Sequence, residues 1–206
     1  MRMTKKVIVG GLLGGLVMFV WAVISWTVLP WHDLTIGRFS DQQAVAEVIM
    51  ANAPQSGIYA LPNAQPLDPQ ADAAARAQAR ADALARMQSG PFLFVSVTRG
   101  GTDLTNPWLF VRSLLIQIVA ATLITVLLVQ TRGLRYWCRV GFVETTGVLI
   151  GVLATFPLWN WWQFPLRYTL VNFADFIIGV TLAGFVIAKV VGDIAVGDDQ
   201  AEADKA

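Results

Sequence analysis

Four long apolar runs dominate the chain, and each is broken by at most two charges. Val7 to Leu29 carries none and stops at Pro30. Trp108 to Gln130 holds Arg112 one turn in, Val140 to Leu158 holds Glu144, and Tyr168 to Val191 holds Asp175 and Lys189. An α-helix rises 1.5 Å per residue, so about 20 apolar residues cross the roughly 30 Å of bilayer hydrocarbon, with a minimum near ~17. The pattern predicts a membrane all-α fold, a four-transmembrane-helix bundle. The first run is longer than the ~7–15 residues of a signal-peptide core, contains Trp21 and Trp26, and is followed by no A-x-A site, so it reads as an uncleaved anchor.

Between the first two runs, the polar and apolar positions change at shorter range and predict a small α/β loop domain over residues 30–107. Ser40-Asp41-Gln42-Gln43 has the form of a capping box, and Val45, Val48 and Ile49 then share a face, which predicts a helix from Asp41 to about Asn52. Gly57–Leu61 and Phe92–Thr98 read as strands, the second closed by Gly100-Gly101. Ala71 to Met87 is alanine- and arginine-rich. Its Asp72/Arg76 and Asp82/Arg86 pairs stand at i,i+4, which predicts a helical insertion with little to bury. The chain thus divides into 1–29 (N-terminus and first span), 30–107, 108–191 (spans two to four) and an acidic tail, 192–206. That tail holds Asp193, Asp198, Asp199, Glu202 and Asp204 and reads as flexible.

Charge adds an orientation. Arg2, Lys5 and Lys6 precede the first span, and Arg132, Arg135 and Arg139 crowd the link between the second and third, whereas the link before the fourth holds Arg167 alone. By the positive-inside rule both termini are cytoplasmic and the loop domain is extracytoplasmic, as in a multi-pass protein of a bacterial inner membrane. At 206 residues, 55% hydrophobic and 14% charged, the composition suits a bilayer partner. A net charge of +1 without a basic patch argues against nucleic acid. One cysteine and one histidine exclude a disulfide framework and a Cys/His zinc pattern, and no cofactor motif is present.

The intramembrane charges are the first candidates for chemistry, because each costs about 2.5–3.5 kcal/mol at a helix centre unless partnered. Depth along the helices suggests an ion pair Arg112–Asp175 in the outer half and Glu144–Lys189 or Glu144–Arg139 in the inner half. A proton or ion path through the same groups is the competing reading. It lacks an acid or histidine near the midplane, where only Thr122, Thr125 and glycines stand. His32-Asp33, after Pro30-Trp31, has the composition of a general base or an interfacial ligand, and reads more simply as a polar cap hydrogen-bonded to the loop domain. Small residues at four-residue spacing (Gly10/Gly14, Gly11/Gly15, Gly147/Gly151, Gly179/Ala183) allow close helix approach, within the bundle or to a partner.

The last signal is aromatic. Trp159, Trp161, Trp162 and Phe164 precede Pro165 and fit an interfacial belt, or the wall of a lipid or apolar-ligand pocket at the level of Arg167, Arg112, His32 and Asp175. Val20-Trp21-Ala22-Val23-Ile24-Ser25 running to Leu29-Pro30, Gly57-Ile58-Tyr59, Gly90-Pro91-Phe92-Leu93 and Leu158-Trp159-Asn160-Trp161-Trp162-Gln163-Phe164-Pro165 together make the chain resemble an uncharacterised family of bacterial four-helix inner-membrane proteins. The resemblance implies that four-helix fold and no known activity. The family pattern is W-N-W-Y-G-F-P, so Trp162-Gln163 replaces Tyr-Gly, and Trp26 stands where the family has a histidine. With no catalytic constellation in view, the expected function is non-enzymatic: an accessory or scaffold subunit or a component of envelope maintenance, with a membrane-protein partner or a homo-oligomer. The alternative is a small oligomeric transporter or lipid-handling protein using Arg112, Asp175 and the tryptophan layer.

Overall fold

A computed structural model describes residues 3–66, 68–131 and 133–192. The acidic tail anticipated above lies outside the described residues. Four helices are long and apolar enough to cross a membrane: α1 (Met3–Thr27), α4 (Pro107–Val129), α5 (Tyr136–Trp162) and α6 (Leu166–Val191). The protein is mostly helical and has the makings of a membrane protein. Its long helices turn leucines, isoleucines and valines outward, such as Leu115, Ile116, Leu149 and Leu153. So extended an apolar surface suits hydrocarbon and not water.

The chain forms two compact units. Residues Met1–Gly37 and Leu104–Ala206 make one, and Arg38–Asp103 the other. The boundary differs from the expected 30–107, because the eight residues after the first span fold with the long helices.

In the helical unit, α1 packs along α4 and α6, and α6 along α5, all antiparallel. Consecutive α4 and α5 touch at only a few positions. The neighbour order is therefore α4–α1–α6–α5, with α1 and α6 in the middle. Glycines set the register. A Cβ on Gly11 or Gly15 would strike Thr122 or Ile118 of α4, one on Gly14 would strike Ile187 of α6, and ones on Gly147 and Gly184 would meet Val180 and Val143 across the α5–α6 seam. The small-residue pairs thus serve contacts within the unit, letting backbones approach where side chains would hold them apart. Met18, Ile124, Leu128, Val143, Val180 and Ile187 fill the space between. Thr122 and Thr125 donate to the carbonyls of Ile118 and Ala121 on their own helix, so neither hydroxyl points into a path.

α5 runs past its expected end at Leu158, through Pro157 and on to Trp162, so the three tryptophans are its last turn and not a loop. The helix then stops at Gln163, whose backbone is left-handed (φ 55°) and whose N–H donates to Leu158 O. Glycine takes that conformation without Cβ strain. Gln163→Gly is expected to stabilise the protein by about 0.5–1 kcal/mol, the αL strain relieved being partly offset by the greater freedom of the unfolded chain. Thermal unfolding in detergent checks it, and a destabilised variant would show that the Gln163 Nε2 bond to Asn160 O outweighs the strain.

The second unit has α2 (Gln42–Asn52), β1 (Gly57–Leu61), α3 (Ala73–Ser89) and β2 (Leu93–Val97). β1 and β2 pair antiparallel, with Gly57 opposite Val97 and Leu61 opposite Leu93. The α2 cap is Asp41 and not Ser40: its carboxylate accepts from Ala44 N, while Gln43 donates to Glu47. Asp72 likewise caps α3 through Ala75 N, and Arg76, expected to pair with it, donates instead to Ala71 O and Pro69 O. Arg99 ties the sheet to α2 by donating to Met50 O and Ala53 O at that helix's C-terminal end, where free carbonyls favour a cation.

Candidate functional site

The polar groups of the helical unit gather where α1 ends. After α1, Leu29 N bonds back to Ile24 O, and Leu34 N to Pro30 O, which folds Trp31 and His32 back against the last turns of the helix. A short 3-10 turn, Asp33–Thr35, follows, with Thr35 Oγ1 donating to His32 O. His32 is thereby only 2% exposed, and Ser25 on α1 is fully buried beneath it.

Asp175 arrives from α6. Its Oδ1 accepts from Trp21 Nε1 at 2.8 Å, its backbone carbonyl from the same indole at 3.0 Å, and its Oδ2 lies 3.4 Å from His32 Nε2. Ser25 Oγ stands 3.1 Å from that same Nε2 and accepts from Trp31 Nε1 at 3.0 Å. Trp26 stacks on the imidazole at a centroid distance of 3.7 Å and 10° between planes, and Trp31 meets it edge-on. Trp21 and Ser25 are one turn apart on α1, so a single helix face carries the indole and the hydroxyl to the α6 carboxylate.

The geometry selects a protonation pattern. His32 Nδ1 is buried with no partner. Were the proton on Nδ1, a bare Nε2 would face a carboxylate oxygen, and a buried N–H would go unbonded. With the proton on Nε2, it is shared between Asp175 and Ser25, and only a lone pair at Nδ1 is left over. A nucleophile–base–acid relay uses the two ring nitrogens for two different partners. Here the serine and the carboxylate converge on one nitrogen. The arrangement is a clasp holding the end of α1 to α6.

The expected ion pairs are corrected by this geometry. Asp175 is met by His32 and Trp21, and Arg112 is exposed and makes no ion pair among the described residues. The histidine's acidic neighbour is Asp175 from a distant helix, not adjacent Asp33, which is exposed; and the hydroxyl His32 meets is on α1, not in the loop domain. Glu144, Lys189 and Arg167 are exposed, and none makes an ion pair among the described residues. Arg139 is buried; it donates from Nε to Ala188 O at 3.1 Å, at the C-terminal end of α6, and from Nη1 to Leu134 O. Of the aromatic layer, Trp159 packs edge-on to Phe156, Phe164 tilts against Tyr168, and Trp161 is the most exposed.

An apolar groove of about 350 Å³ runs along α1 and Leu182 of α6. It is lined by Leu16, Val17, Val20, Ile24 and Trp21, the last marking its junction with the clasp. No groups of three or more metal-ligating side chains occur among the described residues. Sequence reasoning missed Trp21, Ser25, Trp26 and Trp31. The signal available was the spacing Trp21-x-x-x-Ser25 on one face, followed by a Trp-His pair after a proline. Comparison with protein families, curated proteins and solved structures finds no match to this chain.

Proposed function

We propose that this chain is a non-enzymatic accessory or scaffold protein of a bacterial inner membrane, with its termini and the Arg135/Arg139 link cytoplasmic and residues Arg38–Asp103 on the far side. The basic residues flanking the long helices support that orientation. The observation that carries the functional reading is the closed clasp. Both carboxylate oxygens of Asp175 are engaged by Trp21 and His32, and Ser25 is fully buried, so these groups spend their bonding on one another and on helix packing. A rigid helical layer with broad exposed faces is suited to holding another membrane protein in place.

The test is purification of the full chain in mild detergent followed by native mass spectrometry. A stoichiometric membrane-protein partner is the expected result. A homo-oligomer carrying a defined lipid would overturn it in favour of the second reading, a lipid-handling protein or small transporter. One observation favours that second reading: the apolar groove is lined in part by Trp21, whose indole is bonded to Asp175, which places an open apolar groove beside a polar cluster. Asp175→Asn separates the two. Under the accessory reading it lowers stability and abundance. Under the second it leaves an intact protein that has lost a lipid or transport phenotype.

A further inference from the structure

Two features of α5 stand out from the packing of the other long helices, and they lie one turn apart. Gly141 is the first. A Cβ on any other glycine of the four long helices would come within 3.2 Å of a neighbouring helix, whereas one on Gly141 would meet nothing within 4 Å. The notch is therefore built but unfilled. Glu144 is the second. It stands four residues, about 6 Å at 1.5 Å per residue, inside the third apolar run that begins at Val140, and it is exposed. Among the described residues it makes no hydrogen bond or ion pair.

Residues three and seven apart share a helix face, so Gly141, Glu144 and Val148 form one strip with Trp137, which leans on Phe185 of α6. An ionised carboxylate exposed within an apolar run is costly unless partnered, and its side chain is shorter than the lysine and arginine stems that reach back to headgroups. It calls for a cation beside it. This chain supplies none at the same level: Lys189 lies about 9 Å nearer the end of the helices, Arg112 is at their opposite end, and Arg139 faces the α6 C-terminus. A second copy would bring the same mismatched set, and α5 against α5 would oppose two carboxylates.

We propose that this strip of α5 seats a transmembrane helix of a different protein, its backbone crossing over Gly141 and a lysine or arginine meeting Glu144. The proposal rests on the accessory reading and names the chemistry of the partner. Glycine notches allow helix backbones to approach closely, and an intramembrane ion pair then sets depth and rotation.

The test places a photo-crosslinking amino acid at Val148 of the full chain in native membranes, with Leu153, on the opposite face and 66% exposed, as the control position. The expected product at Val148 is a single membrane-protein adduct, mapped to a helix with a lysine or arginine within one turn of the crosslink. Glu144→Leu and Gly141→Leu should each lower its yield at least tenfold, Glu144→Asp should retain part of it, and Leu153 should give lipid adducts only. Melting temperatures of the purified variants, expected to match the parent because both positions are exposed or open, verify folding. Adducts at Val148 to lipid alone or to a second copy would overturn the proposal, as would an adduct indifferent to Glu144→Leu. Native mass spectrometry separates the two levels. A stoichiometric partner that persists with Glu144→Leu leaves the accessory reading standing and removes this inference, while its absence from the parent protein removes both.

Discussion

Asp175→Ala is expected to cost roughly 2–4 kcal/mol of stability. Removing the shared acceptor of a largely buried hydrogen-bonded cluster leaves the surrounding donors with weaker partners. Here the Trp21 indole N–H, at 2.8 Å from Oδ1, and the His32 Nε2–H would each lose the carboxylate, leaving the backbone carbonyl of residue 175 at 3.0 Å for the indole and Ser25 Oγ at 3.1 Å for the imidazole. The cavity left by the side chain adds to the loss. Removing both ends should be milder. An Asp175→Leu/His32→Phe double variant replaces the pair with apolar side chains and is expected to recover part of the loss, with a coupling of about 1–3 kcal/mol in a double-mutant cycle. Denaturant titration of the purified protein, followed by tryptophan fluorescence, provides the measurement, since Trp21, Trp26 and Trp31 surround the site. Additive single effects, each under about 1 kcal/mol, would show that the clasp does not hold α1 to α6.

Gly15→Ala is expected to destabilise the same unit by about 2–3 kcal/mol through one methyl group. An ideal Cβ there would lie 2.5 Å from Ile118 Cα and 2.7 Å from Ile118 N on α4. Backbone atoms cannot rotate aside as a side chain can, so the two helices must separate. The close contacts of Gly10 with Thr125 and of Gly11 with Thr122 would open with them. Gly141→Ala is the matched control. It adds the same methyl to a helix glycine with open space around it, and should be neutral or stabilising by up to about 1 kcal/mol from helix propensity. Equal stability of the two variants in a detergent melt would contradict the α1–α4 contact.

The four long helices were legible in the sequence because membrane spanning is written in local composition. A run such as Val7–Leu29 needs no knowledge of its neighbours to be recognised, and the strands at Gly57–Leu61 and Leu93–Val97 were likewise readable from β-branched and aromatic residues bounded by turn formers. Errors at the edges have local causes as well. Asp41 displaced Ser40 as the cap because its carboxylate reaches Ala44 N, one residue beyond the N–H that a Ser40 cap would serve, and α5 outruns the apolar run because its helix continues through Pro157 into the tryptophans.

The candidate site was half legible. Asp175 and His32 were singled out by rarity: the one acid in the fourth span and the one histidine in the chain. Their pairing was not, because depth along a helix leaves rotation about its axis open. Arg112 and Asp175 share a level, yet Arg112 turns outward while Asp175 faces Trp21 across the α1–α6 seam. Nor did any local pattern show that residues 30–37 fold back on α1, which is what carries His32 to within 3.4 Å of a carboxylate 143 positions further on (175 − 32 = 143). By itself, then, the sequence determined which segments are helices, how long they are and which rare polar groups they carry. Only the tertiary structure decided which of those groups face one another, and why Gly141 and Glu144 face outward. Those facts depend on the rotation of each helix about its axis, which is set by the glycine contacts between helices and not by the residues of any one helix alone.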